Sequence, residues 1–512
     1  MSADRAGRLQ RLGSETFDLI VVGGGITGAA IAAQAAQSGL ATALLEEQDF
    51  GSGTSSASSK MLHGGLRYLE HGKIKLVKEA LHERGRLVRR LGTARAKTIP
   101  FLLPLRGSSS RRLQLRFGTW LYQRLSGSLA LGPRSVLSPE QVLQKVPQLR
   151  SEGLRGGIEY YEGVVDDTFL VLELVHEAAD AGAVVLNHAN VTGPLLTGGR
   201  IEGVAFRDLL SGTESTVRAK SVVNAAGVWS RSWAGESRSP PMRPSKGVHL
   251  VFRKSSFPLS EAVVMEAEDR RWVFALPYGS LVVVGTTDTD YDGDYRRVRP
   301  QRADLEYLMS TVEREFPGAK VRPQDIVDAY AGLRPLLAGQ GDTTSELSRE
   351  DLVYVDPSGL VTTVGGKLTT HAAMARRTLD RLGPSSRSRP LVLAGPKETT
   401  YSGRPWPGSD WLLGTFALEP PARQALVRSV VQEAVQYLGP CTLEDIIDRR
   451  LHALNRLEES FDGLIEEISR TAAELLEWPE EERLHQCQNY REHLREYEQE
   501  TLRFRAPKGG SA

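Results

Sequence analysis

The sequence predicts an α/β chain that carries a Rossmann-type dinucleotide-binding unit and ends in a separate helical region. Three observations predict it. Over residues 17–46, a strand-length apolar run, a glycine turn, an Ala-rich helix and a second apolar run ending in an acid follow one another, the order of a parallel βαβ unit. Short apolar runs then alternate with helical periodicity as far as residue 364, as in a mixed chain with a second, antiparallel sheet. Beyond residue 407 the texture turns charged, helix-favouring and nearly glycine-free, which marks a separate unit.

Size and charge bound the function. At 512 residues the length suggests about three units. Lys+Arg 64 against Asp+Glu 63 leaves a formal charge of +1, which argues against a nucleic-acid-coating protein. Cys441 and Cys487 are the only cysteines, too few for a disulfide framework or a Cys-rich metal site, so a reducing compartment is expected. Arg5, Arg8 and Arg11 precede an apolar stretch at 19–33, but Glu15, Asp18 and Gly23-Gly24-Gly25 spoil it as a leader. The reading is a soluble chain with no removed leader.

Residues 17–22 form the first strand, 26–36 a helix closed by Gly39, and 40–45 the second strand. Gly23, Gly25 and Gly28 make GxGxxG between strand and helix, and Glu46 stands 18 residues after Gly28. Glycines there permit a tight turn and let free helix N–H groups meet a pyrophosphate, while the acid accepts from a ribose. The motif alone does not choose between NAD and FAD. Further strands are read at 183–186, 221–223, 249–252, 281–284, 352–355 and 360–364, with a helix at 168–181 whose N-cap is Asp166 or Asp167. A Pro-rich linker at 384–407 precedes helices at 422–438, 443–464 and 470–503.

The segment 53–70 runs GTSSASSKMLHGGLRYLE, and it is followed by Asp166-Asp167, Asn224-Ala225-Ala226-Gly227, Lys246-Gly247-Val248-His249, Gly285-Thr286-Thr287-Asp288, Gly332-Leu333-Arg334-Pro335 and 365–370, GGKLTT. Over about residues 16–375 this pattern resembles the FAD-dependent glycerol-3-phosphate dehydrogenases. The resemblance implies a glutathione-reductase-like, D-amino-acid-oxidase-like FAD-binding domain assembled from 16–75, 155–245 and 350–383. It implies an inserted α+β substrate region at 76–154 and 246–349, and a helical C-terminal domain at 408–512. Thr54, Ser55, Ser59, Gly64, Gly65, Gly227, Gly332, Lys367, Leu368 and Thr369 are then expected to join Gly23, Gly25, Gly28 and Glu46 around a non-covalent FAD. The implied reaction is oxidation of sn-glycerol 3-phosphate to dihydroxyacetone phosphate, with electrons passed to a membrane quinone. The implied location is the cytoplasm, peripherally on the inner face of the cytoplasmic membrane; no nucleic acid is expected, and a homodimer is left open.

Oxidising a phosphorylated secondary alcohol needs a base, a hydride acceptor and cations. His249 is the candidate base, because an imidazole titrates near neutrality. Arg67, Arg334 and Lys367 are the candidate cations, and Tyr68 a further donor; by resemblance all five line the substrate site. Arg334 is also read as catalytic. His63 reads as structural, Asp288 and Asp290 as loop-ordering groups, and no metal is expected. Two other activities stay open: a glycerol-3-phosphate oxidase using oxygen, and an amine or amino-acid oxidase of the same fold, whose carboxylate substrate needs only one Arg. At 106–125 a helix would align Leu113, Phe117, Trp120, Leu121 and Leu125 beside Arg112 and Arg116, with Arg124 inside the stripe and Leu115 and Tyr122 opposite. That pattern suits either packing on the substrate region or a bilayer surface, and the resemblance favours the bilayer.

Overall fold

The computed structural model describes residues 5–235, 238–338, 351–382, 419–436, 439–454, 456–458 and 461–506. Two sheets carry these residues. In the first, Thr16–Val22 lies parallel between Thr42–Leu45 and Glu214–Asn224, with Val184–Leu186 and Val361–Gly365 outside them. Every position of Thr42–Leu45 is buried, as a parallel strand covered on both faces must be. The helix Ile26–Gln37 is Ala-rich for a packing reason. It is buried almost all round in one apolar cluster with the helices Asp167–Asp180 and His371–Arg381, and small side chains let the backbones approach.

The second sheet is mostly antiparallel and has ten strands. Ser245–Arg253 lies between Leu281–Gly285 and Ile326–Arg334. Pairing continues through Trp272–Tyr278 and Ala262–Glu266 to Ala96–Pro104, Gly157–Val165 and the short strand Met61–Leu62. That last strand matters for the site: residues 53–60 follow Thr42–Leu45 of the first sheet and are anchored at once in the second sheet. Register then sets side chains across from one another. His249 is opposite Tyr330 and Gly285, Gly247 opposite Gly332, and Ser245 opposite Arg334.

The C-terminal helices depart from the periodic reading. The stretch read as a helix at 443–464 instead holds a six-residue π-helical turn, Asp445–Arg450, with residues 451–454 outside any helix, and the next helix is Phe461–Leu476. Tertiary ion pairs outweigh local propensity there. The Asp445 carboxylate lies 2.8 Å from His188 Nε2, the buried Arg450 pairs with Asp49, and His452 takes φ +50°. Pro479 separates Phe461–Leu476 from Glu480–Arg505, so the helix read at 470–503 is broken where proline excludes an interior turn. The expected linker at 384–407 lies outside the described residues.

Candidate active site

The turn after Thr16–Val22 has no room for side chains. Gly23 has φ +105°, and a Cβ on Gly28 would lie 1.8 Å from the Gly23 carbonyl oxygen. The helix beginning at Ile26 has no acid in its first turn, so its positive end stays available for an anion. Ser55 Oγ accepts from the Ile26 N–H at 2.9 Å, tying residues 53–60 to that end. Glu46 accepts from the N–H groups of Gly24 at 2.6 Å and Gln48 at 2.9 Å, while burial pushes its carboxyl pKa up. A cavity of about 470 Å³ runs from Gly23, Gly25 and Glu46 past Thr54, Ser55 and Gly227 to Lys367 and Leu368. A helix end for phosphates, a carboxylate at one extremity and a backbone-lined passage between are what a dinucleotide requires.

His249 is 2 % exposed. Its Nε2 lies 2.8 Å from Ser59 Oγ, and its ring stacks on Tyr330 with centroids 4.7 Å apart. Its Nδ1 is buried without a hydrogen-bond partner among the described residues. Burial, then the charges of Arg334 and Lys60, hold its pKa well below the usual near-neutral value, so the ring is neutral and has a lone pair to offer. Arg334 donates through Nη2 to Thr286 Oγ1 at 2.9 Å and to the Thr287 carbonyl at 3.1 Å. It lies over Gly247, where a Cβ would come within 2.5 Å of Nη2. Lys367 Nζ sits 4.0 Å from the centre of the Tyr68 ring, a cation–π contact. Gly65, at φ +81°, leaves the space that both occupy. Arg67 shares the 3-10 turn Leu66–Leu69 with Tyr68 and is half-buried.

Several residues expected at the cofactor also make contacts within the protein. Gly28 shapes the turn, and Gly332 packs its backbone on Ala57, 2.6 Å from where its Cβ would stand. The Gly64 N–H donates to Tyr122 Oη at 2.7 Å, and the His63 N–H donates to Thr369 Oγ1 at 3.2 Å. Ser59 holds His249. Asp166 caps its helix, accepting from Phe169 N–H at 2.9 Å. Asp167 corrects the expectation that it would cap, because it instead pairs with the fully buried Lys60 at 2.8 Å.

Two buried networks carry no local sequence signal. Arg84 donates to Glu162 at 2.5 Å, and Tyr122 donates to the same carboxylate, which burial pushes towards its neutral form. Lys60 also contacts His452, 392 residues away in sequence. On the helix Ser109–Ser126, Leu115, Thr119, Tyr122 and Ser126 are buried. Leu113, Phe117 and Trp120 point outward with 68, 59 and 47 % of their surface exposed. No helix among the described residues is long and apolar enough to cross a membrane.

Comparison with known proteins gives a consistent picture. The model of a family described as FAD dependent oxidoreductase matches residues 18–381. A protein of Mycobacterium tuberculosis named glycerol-3-phosphate dehydrogenase 2 is 41 % identical over 381 residues, 74 % of this chain and 65 % of its own length. The aerobic glycerol-3-phosphate dehydrogenase of Bacillus subtilis is 38 % identical over 383 residues, 74 % of this chain and 69 % of its own. This chain therefore spans about two thirds of the curated relatives it matches. Among solved structures, the glycerol-3-phosphate dehydrogenase of Bacillus halodurans complexed with FAD aligns with TM-score 0.72 and 29 % identity, covering 100 % of this chain and 99 % of that one. The cofactor that the cavity accommodates is FAD.

Proposed function

The chain belongs to the FAD dependent oxidoreductase family, and from that premise we propose that it oxidises sn-glycerol 3-phosphate to dihydroxyacetone phosphate. The observation that carries this reading is a neutral, buried imidazole at His249 in the field of Arg334, with Lys367 and Pro335, the neighbour of Arg334, both lining the cofactor cavity. Gly23, Gly25, Glu46, Thr54, Ser55, Gly227, Lys367 and Leu368 would hold FAD, without a covalent link. Bound FAD supplies the hydride acceptor. His249 takes the hydroxyl proton, and Ser59 and Tyr330 fix its ring while it does so. Arg334, Arg67 and Lys367 hold the phosphate, and a planar guanidinium suits it bidentately. Tyr68 keeps the Lys367 ammonium in place through its ring face. Anaerobic mixing tests the assignment: glycerol 3-phosphate should bleach the flavin, whereas glycerol and a panel of amino acids should not. Bleaching by an amino acid would turn the reading to an amino-acid oxidase.

For the electron acceptor we propose a membrane quinone, reached from the cytoplasmic surface of the bilayer. Support comes from the outward row Leu113, Phe117 and Trp120, beside Arg112 and Arg116. Arg124, which the stripe left inside its apolar face, lies 5.9 Å from the Trp120 ring and can reach water from there. Each Arg near anionic lipid contributes about 1 kcal/mol. The protein should co-sediment with anionic liposomes at low salt and lose that binding on Trp120→Glu. A protein that stays in the supernatant and makes peroxide stoichiometrically with substrate would instead be an oxidase.

A further inference from the structure

One buried cluster takes no part in the proposed reaction, yet it joins the C-terminal helical region to the base. Lys60 is 0 % exposed and stands at φ +57°. Its ammonium donates to Asp167 Oδ1 at 2.8 Å, lies 3.0 Å from His452 Nε2, and sits 5.1 Å from the centre of the Tyr330 ring on which His249 stacks. An ammonium has only hydrogens to offer, so His452 Nε2 is the acceptor. The other ring nitrogen then carries the hydrogen and donates to Asp166 Oδ2, 2.8 Å away. Asp166, Asp167 and His452 bring three ligand-type atoms within 4.8 Å of one another, but Lys60 supplies the positive charge there.

The cluster fixes three consecutive residues. Asp167 Oδ2 accepts from Ser58 N at 3.1 Å and from Ser58 Oγ at 2.6 Å, Tyr330 Oη donates to the Ser58 carbonyl at 2.9 Å, and the Lys60 carbonyl accepts from Val165 N at 3.0 Å. Between Ser58 and Lys60 stands Ser59, whose hydroxyl touches His249 Nε2. His452 comes from irregular chain after the π-helical turn Asp445–Arg450, at φ +50°. We propose that His452 is a positioning residue: by holding Lys60 and Asp166 it fixes the 58–60 segment that orients the His249 imidazole, so the C-terminal helical region governs proton removal in the substrate site. The inference rests on the reading of His249 as the base.

The test uses the FAD-loaded protein. His452→Leu should keep the flavin spectrum and bind glycerol 3-phosphate within about threefold of wild type. It should reduce flavin roughly ten- to hundredfold more slowly, the cost of a misplaced catalytic group, with a displaced pH profile. His452→Gln retains an acceptor for Lys60 and should recover most of the rate. The double variant His249→Ala/His452→Leu should be no slower than His249→Ala alone. If His452→Leu does not fold, Asp166→Asn serves. Phe169 N–H and His452 Nδ1–H point at different oxygens of Asp166, and the amide puts an NH2 in one of those places, so the relay is frustrated and the same slowing is expected. Wild-type rate and profile in these variants overturn the proposal, as does a Gln variant as slow as the Leu one. An additive double variant beside a slow His249→Ala overturns the positioning role alone. A wild-type rate in His249→Ala removes the base assignment itself.

Discussion

The two ends of the site are built from different material. Around Glu46 the cavity is made by backbone: the glycine turn, the helix end and two N–H groups held by one carboxylate, all drawn from residues 23–48. Around His249 the site is made by side chains from separate stretches: Ser59 and Lys60 of the 53–60 segment meet Tyr330 of the second sheet in the field of Arg334, and His452 of the C-terminal region reaches Lys60. Backbone donors placed by one turn are replaceable by few sequences but lose little when a single side chain changes. A cluster of mutually supporting side chains loses much more.

The sharpest way to break this contrast is His249→Ala. It should slow flavin reduction by about 10²- to 10⁴-fold with substrate affinity changed only a few-fold, as read by rapid mixing; a rate within a few-fold of wild type moves the base elsewhere. Arg84→Met comes next, because it leaves the buried Glu162 without its cation, with Tyr122 still donating to it. A loss of about 3 to 5 kcal/mol of folding stability is expected, and Arg84→Met/Glu162→Gln should recover part of it in denaturant titrations. If the single variant is as stable as wild type, side-chain networks of this kind do not depend on their buried ion pairs. Glu46→Gln probes the other end. Flavin affinity should fall by about 1 to 2 kcal/mol, the scale of one charge-assisted hydrogen bond, with the fold intact; a titration showing unchanged affinity would detach Glu46 from the cofactor.

The smallest expected effect is a displacement along the pH axis. The folded pKa of His249 lies below its unfolded value of about 6.5. On acidification the unfolded chain therefore binds the proton first. The stability contributed by neutral His249 is present above about pH 6.5 and is lost as the pH falls towards the folded pKa. The ascending limb of kcat/KM should accordingly lie on the acid side of 6.5. A limb at or above neutrality would mean that the ring is solvated and the cluster around it looser than the stacking on Tyr330 indicates.

By itself the sequence determined what short-range pattern can encode. The βαβ unit, its GxGxxG turn and the acid at Glu46 follow from strand, turn and helix signals within thirty residues, and the cap at Asp166 follows from its helix. His249, Arg334 and Lys367 were singled out through their likeness to a known pattern, since no spacing relates residues so far apart. Tertiary structure alone decided the rest. The outward turn of Leu113, Phe117 and Trp120 was open until Leu115 and Tyr122 were seen buried. The break of the helix read at 443–464 and the pairing of Lys60 with Asp167 and His452 carry no periodic signal. The helix face was set by which side packs on the core, and the other two cases share one physical reason. Local hydrogen bonding and hydrophobic period act over a few residues, whereas a buried charge must find its partners wherever the fold brings them: for Lys60 the carboxylate of Asp167 stands 107 positions along the chain and the acceptor His452 392.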